Sequence, residues 1–174
     1  TFHNKANGVS IEGTYKDTIS YAHFSGNEQL ALIYVKLRDC MIDCGLIVEG
    51  TYFHFCNLHS CERIIFSGTS SIHEYYYSNI VNNDIGSVWS YYVSTYNSSR
   101  NTPHHCNIYN NHDKDNNDIV IASINSNVPR VVTLEDPCWF GTYDEEYIRQ
   151  GIRDIHTDLG YAEADISNRL NRPV

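Results

Sequence analysis

The residues best able to do chemistry are six cysteines, Cys40, Cys44, Cys56, Cys61, Cys106 and Cys138, and nine histidines. Cys56, His59 and Cys61 cluster, and His104-His105-Cys106 places three donors in a row. A structural zinc site needs paired ligands at short, regular spacing. No C-x-x-C occurs, and His54 and His59 around Cys56 do not complete such a pair. No metal is therefore expected, and disulfide bonding is the preferred role for all six thiols. Six cysteines leave about fifteen pairings open. The run Asp113-Lys114-Asp115-Asn116-Asn117 starts like a calcium loop. Its sixth position is Asp118 where glycine is required, and its twelfth is Ile124 where glutamate is required, so it reads as a solvated hairpin tip.

A hydrolase would need a nucleophile beside a base. No G-x-S-x-G is present, and Ser67-Gly68-Thr69-Ser70-Ser71 is only a polar turn. His73-Glu74, and His156 between Asp154 and Asp158, are acid–base groups without a nominated partner. With no phosphate loop, dinucleotide fingerprint or HExxH, the expectation is no catalytic residue and no cofactor. Two aromatic stretches suggest binding instead: Tyr75-Tyr76-Tyr77, and Trp89, Tyr91 and Tyr92. On strands, alternate members face opposite sides, so half can meet a sugar or a protein partner. One glycosylation sequon, Asn97-Ser98-Ser99, lies in a polar stretch.

The 174 residues suit one domain, 1–174. Twelve Lys and Arg against 21 Asp and Glu give a net charge of −9, which argues against nucleic-acid partners and anionic membrane surfaces. No apolar run approaches the roughly 20 residues of a membrane helix. Even cysteine count, acidity and an Asn- and Tyr-rich composition point to a secreted, extracellular glycoprotein. Each disulfide would contribute about 2–4 kcal/mol, so reduction should weaken the fold severely.

The elements expected to position these residues are strands and two helices. Val9 to Phe24 reads as one or two strands. Ser25 and Glu28 form a capping box, and Leu30, Ile33, Tyr34, Leu37, Met41 and Cys44 follow at helical spacing, so 26–43 is expected to be a helix. Leu46 to Phe55 reads as a strand, Cys56 to Cys61 as its turn, and Glu62 to Phe66 as the returning strand. Further strands are expected at Val88 to Tyr96, Asn107 to Tyr109, Asp118 to Ile124 and Val131 to Leu134. A second helix starts at the capping box Thr142/Glu145 and carries the stripe Ile148, Ile152, Ile155, Leu159; residues 161–170 suggest a further short helix. No internal repeat is evident. The sum is an α+β fold: an antiparallel sheet with two amphipathic helices packed on one face.

The stretch from Gly141 through Asp144, Ile148 and Ile152 to the pair Arg153-Asp154 and Ile155 resembles the C-terminal helix signature of fungal killer-toxin-like secreted effectors, the necrosis-inducing-factor family. Cys138 and Cys40 look like that family's disulfide cysteines. The resemblance implies a small killer-toxin-like α/β sandwich that acts on competing or host cells, and it supplies no catalytic residues. The leading expectation is thus a non-enzymatic toxin or toxin subunit that binds a target-cell surface component, a glycan or protein receptor, with a second toxin subunit as a further candidate partner. The alternatives are a glycan- or protein-binding module without toxicity, including a viral immune-evasion binder, and a secreted hydrolase.

Overall fold

The structure is a computed structural model. It describes residues 2–3, 9–26, 29–61, 63–66, 72–85, 89–93, 98–113, 118–119, 122–126, 131–154, 156 and 162–174; for 2–3, 66, 89–93, 98–99, 113, 118–119 and 122–126 it describes the backbone alone.

Inward-facing residues over 30–42 are Leu30, Leu32, Val35, Leu37, Cys40 and Ile42, each at most 2% exposed. The steps between them alternate two residues and three. A step of two is strand periodicity, and the extra residue at every second step turns a corner. Three such sides close one coil. Leu30–Ile33 pairs in parallel with Leu46–Glu49, Lys36–Arg38 with Tyr52–His54, and Met41–Asp43 with Asn57–His59, each sixteen residues further on. Longer corners stretch later coils, as where Asn57–His59 pairs with Asn79–Val81 and that strand with Asn107–Tyr109.

The result is a parallel β-solenoid with three walls. One wall has six strands: Phe2–His3, His23–Ser25, Met41–Asp43, Asn57–His59, Asn79–Val81 and Asn107–Tyr109. The second has four: Val9–Glu12, Leu30–Ile33, Leu46–Glu49 and Ile64–Phe66. The third has eight, in spatial order Thr18–Ser20, Lys36–Arg38, Tyr52–His54, Ile72–Tyr76, Ser98–His104, Trp89–Val93, Ala122–Ser126 and Ile152–Arg153. Among the described strands only two pairs are antiparallel, Trp89–Val93 with Ser98–His104 and His112–Asp113 with Asp118–Ile119. The second of these replaces the hairpin expected between Asn107–Tyr109 and Asp118–Ile124: Asn107–Tyr109 pairs in parallel with Asn79–Val81, His112–Asp113 is the antiparallel arm, and 114–117 fall outside the described residues.

The expected antiparallel sheet with two packed helices is therefore corrected to mostly parallel sheets with one short described helix. The span 26–43 holds the strands Leu30–Ile33, Lys36–Arg38 and Met41–Asp43. Its two-plus-three rhythm repeats every five residues, and sampling it at every third or fourth residue counterfeits a helical stripe. Cys56 to Cys61 is a strand, Asn57–His59, and no turn. The second helix is Glu145–Gln150; Asp144 caps it by accepting from the amides of Glu146 and Tyr147, and Gly151 ends it. Ile152 then joins a strand beside Ala122, while Ile155 and Leu159 lie outside the described residues. In place of a third helix, Glu163–Asp165 pairs with Val131–Thr133. Asp154, from the Arg153-Asp154 pair, is 2% exposed and accepts from the amides of His156 and Ala164 at 2.9 and 3.0 Å, which ties this last strand to the helix end.

Inside, like stacks on like. Phe24, Ile42, Leu58, Ile80 and Ile108 form one fully buried column across five rungs. All six cysteines are free and buried, so reduction has no bridge to break. Cys40, Cys56, Ser78, Cys106 and Cys138 occupy one inner corner on successive rungs. Each side chain donates to the carbonyl two residues earlier, at 3.2, 3.3, 2.9, 3.3 and 3.6 Å. At the next corner Cys61, Asn83 and Asn111 donate to the carbonyls of Ile42, Leu58 and Ile80 in the preceding rung. Asn83 also accepts from the Cys61 amide at 3.0 Å. Asn83→Ala would strand the buried Cys61 N–H and Leu58 C=O, each worth about 1–3 kcal/mol. We expect an unfolding free energy lower by about 2–3 kcal/mol in urea titration, with the β-rich circular dichroism retained.

Candidate functional site

A parallel solenoid carries outward side chains in columns, one per rung, at about 4.8 Å spacing. On the eight-stranded wall these columns concentrate rings. His54, Tyr76 and His104 stack with centroids 4.6 and 4.4 Å apart and planes within 12°. At the adjoining corner Phe55, Tyr77 and His105 stack at 5.3 and 5.0 Å, again within 12°. A third group gathers nearer the first coil: Tyr15 packs against Tyr34 at 5.1 Å and Tyr52 at 6.0 Å, and Lys36 Nζ lies 6.0 Å over the Tyr52 ring. Gly50 permits this cluster. It has φ +54°, and a Cβ there would stand 2.7 Å from both the Tyr15 hydroxyl and the Tyr34 ring.

Of the aromatic residues singled out in the sequence, Tyr76 and Tyr77 face outward within these columns. Tyr75 points inward, fully buried, and stacks on Phe53 at 5.0 Å; it is a core residue and cannot touch a partner. Trp89, Tyr91 and Tyr92 lie on a strand of the same wall, separated from Ile72–Tyr76 by Ser98–His104, with side chains outside the described set. Asn97 also lies outside the described residues. The chain's two aromatic stretches thus share a wall. Sequence reasoning missed His54, Phe55, His104 and His105. The available signal was a repeat: Phe53-His54-Phe55-Cys56-Asn57, Tyr75-Tyr76-Tyr77-Ser78-Asn79 and Pro103-His104-His105-Cys106-Asn107 share one frame.

Charge on this face is locally matched. The Tyr76 hydroxyl donates to Glu74 Oε2 at 2.7 Å, and Arg100 Nη2 lies 3.6 Å from Glu74 Oε1. Burial, and then the Glu74 carboxylate, push the Tyr76 phenol above its ordinary range, so it stays a neutral donor. Burial also lowers His54 below its usual value, helped by Lys36 and Arg38. His104 Nδ1 meets Asp136 Oδ2 at 2.7 Å, and the other oxygen of Asp136 lies 3.6 Å from His105 Nε2. Paired His and Asp are two parts of a hydrolytic relay. Here His104 Nε2, the atom that would face a nucleophile, is enclosed with no hydrogen-bond partner. The pair anchors a loop over the ring column.

The Cys/His clusters also come apart. Cys56 and Cys106 are buried in the core, while His104 is covered beside Asp136 and His105 is part-exposed, and among the described residues no group of three or more His, Cys, Asp or Glu is arranged to hold a metal. No described helix is long and apolar enough to cross a membrane.

Fold and site together define a parallel β-solenoid with one aromatic, polar-edged wall. No family model, no curated protein and no solved structure matches the chain.

The lowered pKa of His54 sets a pH dependence. Above its ordinary value, near 6.5, folded and unfolded chains both hold it neutral. As pH falls below that value the unfolded chain takes up a proton first, so stability is lost on acidification. The difference between wild type and His54→Phe in thermal midpoint should therefore change between about pH 7 and pH 5, with wild type the more acid-sensitive. Parallel curves would contradict this.

Proposed function

We propose that this chain is a non-enzymatic glycan-binding module that recognises an extended polysaccharide along the solenoid axis. The observation that carries the reading is the pair of ring columns, His54–Tyr76–His104 and Phe55–Tyr77–His105. Their faces are occupied by one another and His104 is buried at the end of its column, so a partner meets the ring edges of His54, Tyr76, Phe55, Tyr77 and His105. Such edges suit the hydroxyls of a sugar. Rungs recur at about 4.8 Å, close to the advance of one pyranose unit along an extended chain, so one sugar can address one rung. Stacked rings are already ordered, which lowers the entropy cost of binding. A surface glycan also fits the expected extracellular setting, which is part of this proposal.

The toxin reading took its fold from two packed helices, which the strands at 30–43 and the short helix Glu145–Gln150 replace. What remains of it is a cell-surface partner of carbohydrate nature. A hydrolase reading has little support, since Tyr76 is held as a donor to Glu74 and His104 Nε2 is enclosed.

The test is retention on insoluble cell-wall polysaccharides, with the double variant Tyr76→Ser/Tyr77→Asn as comparison. Asparagine tolerates the positive φ at position 77 (50°), so the corner is preserved. We expect wild type to be retained by at least one polysaccharide and the variant to bind about tenfold more weakly. Equal retention of both proteins would contradict the reading.

A further inference from the structure

One corner column is built against the usual backbone preference. Tyr21, Asp39, Phe55, Tyr77 and His105 succeed one another at the corner leaving the eight-stranded wall, with φ of 57°, 52°, 53°, 50° and 52°. Backbone hydrogen bonds fix them as neighbours: the amides of Tyr21, Asp39, Phe55 and Tyr77 donate to the carbonyls of Arg38, His54, Tyr76 and His104 at 2.9–3.0 Å. Left-handed backbone disfavours bulky side chains and suits Gly, Asn and Asp. A corner of another wall obeys that preference, with Ser60, Asn82 and Asn110. This corner carries rings at four of its five rungs.

The fifth rung breaks the stack. Phe55 has one face on Tyr77. Its other face looks toward the preceding rung, where Asp39 supplies a short carboxylate and no ring. Tyr21 stands one rung beyond. With rungs about 4.8 Å apart, Phe55 and Tyr21 are separated by about twice that, the room of one missing ring. A depression of ≈ 410 Å³ opens there, with Tyr21, His23, Asp39, Met41, Phe55 and Asn57 among its lining residues. That volume lies within the range of small-molecule sites, about 300–1,000 Å³. Tyr21 is 81% exposed and Phe55 49%, so both walls are open to a ligand.

We infer that this gap is a subsite for a single hexopyranose ring, inserted between Phe55 and Tyr21 with Asp39 as its floor. The inference rests on the glycan-binding reading and names where one unit of the chain is gripped by its faces and not by ring edges. The inserted ring continues the column at the spacing seen for Phe55–Tyr77 and Tyr77–His105, 5.3 and 5.0 Å. Its C–H faces meet the two aromatic walls. Neighbouring hydroxyls donate to the two oxygens of the Asp39 carboxylate. Arg38 Nε lies 3.4 Å from Asp39 Oδ2, and Asp43 is paired with His23 at 3.0 Å, so the carboxylates here are matched. The floor therefore favours a neutral polyhydroxyl ring over a cation.

The full chain, labelled with nitrogen-15, is titrated with the methyl glycosides of glucose, galactose and N-acetylglucosamine, one at a time. At least one is expected to shift the amides of Tyr21, Asp39 and Phe55. Asp39→Phe fills the gap with the missing ring, on a backbone that already carries rings at the other four rungs, and should weaken this binding about tenfold or more while the amide spectrum of the remaining rungs is retained. Phe55→Asn removes one wall and should do the same without filling the gap. If none of the three sugars shifts these amides while the polysaccharide still retains the protein, the subsite is wrong and the glycan reading stands. Unaltered sugar binding in either variant also overturns the subsite. Loss of both sugar shifts and polysaccharide retention in wild type overturns both.

Discussion

Every layer of this molecule depends on one constraint: each residue lies directly on its counterpart in the next rung, at the spacing of a parallel backbone hydrogen bond. The constraint sorts side chains by position and not by local propensity. Apolar residues stacked inward become a continuous core, as in the column from Phe24 to Ile108. Amide side chains stacked inward become a ladder, as in Asn83 and Asn111. Rings stacked outward become the candidate site. A substitution on one rung is therefore felt by the rungs on both sides, and a gap on one rung, such as Asp39, is shaped by its neighbours.

The cysteines illustrate the same logic. Their even number invites a disulfide framework, yet the corner column reads Cys40, Cys56, Ser78, Cys106, Cys138, and the serine makes the same bond as the thiols, to Tyr76 O at 2.9 Å. What the position requires is a small inward side chain with one weak donor. Cysteine meets that need as a buried, nearly apolar residue. Within this column the neighbouring thiols influence each other: Cys56 draws the Cys40 thiol below its ordinary value, and Cys56 is pushed up in return. Burial raises Cys61 to about 12, which keeps it a neutral donor in its ladder.

How much of this was legible depended on the length of the signal. Short alternating stretches were readable, so strands at Val9–Glu12, Leu46–Glu49, Asn107–Tyr109 and Val131–Thr133 lie where the pattern puts them. Corners were not, because a turn made by one residue at positive φ carries no Gly-Pro punctuation: Tyr34, Phe55 and Tyr77 make corners with aromatic side chains. The helix expected at 26–43 failed for that reason, since unrecognised corners turn a two-residue rhythm into an apparent longer one. The aromatic stretch at Tyr75–Tyr77 was visible as a cluster, but its partners His54, Phe55, His104 and His105 lie about 22 and 28 residues away, in rungs of unequal length that hide the register. Parallel pairing at a distance leaves no local trace; only the frame shared by Cys56-Asn57, Ser78-Asn79 and Cys106-Asn107 records it.

The functional account joins two periodicities, that of the rungs and that of a polymer. A protein that only happened to expose aromatic residues would bind a single sugar as well as a chain of them. The direct test is the affinity of the wild-type protein for a size series of oligosaccharides cut from one retained polysaccharide. Asp39, Phe55, Tyr77 and His105 mark successive rungs, so affinity should climb with each added sugar up to about four units and then level off. An affinity independent of length, or one that keeps rising far beyond the span of these rungs, would contradict the account.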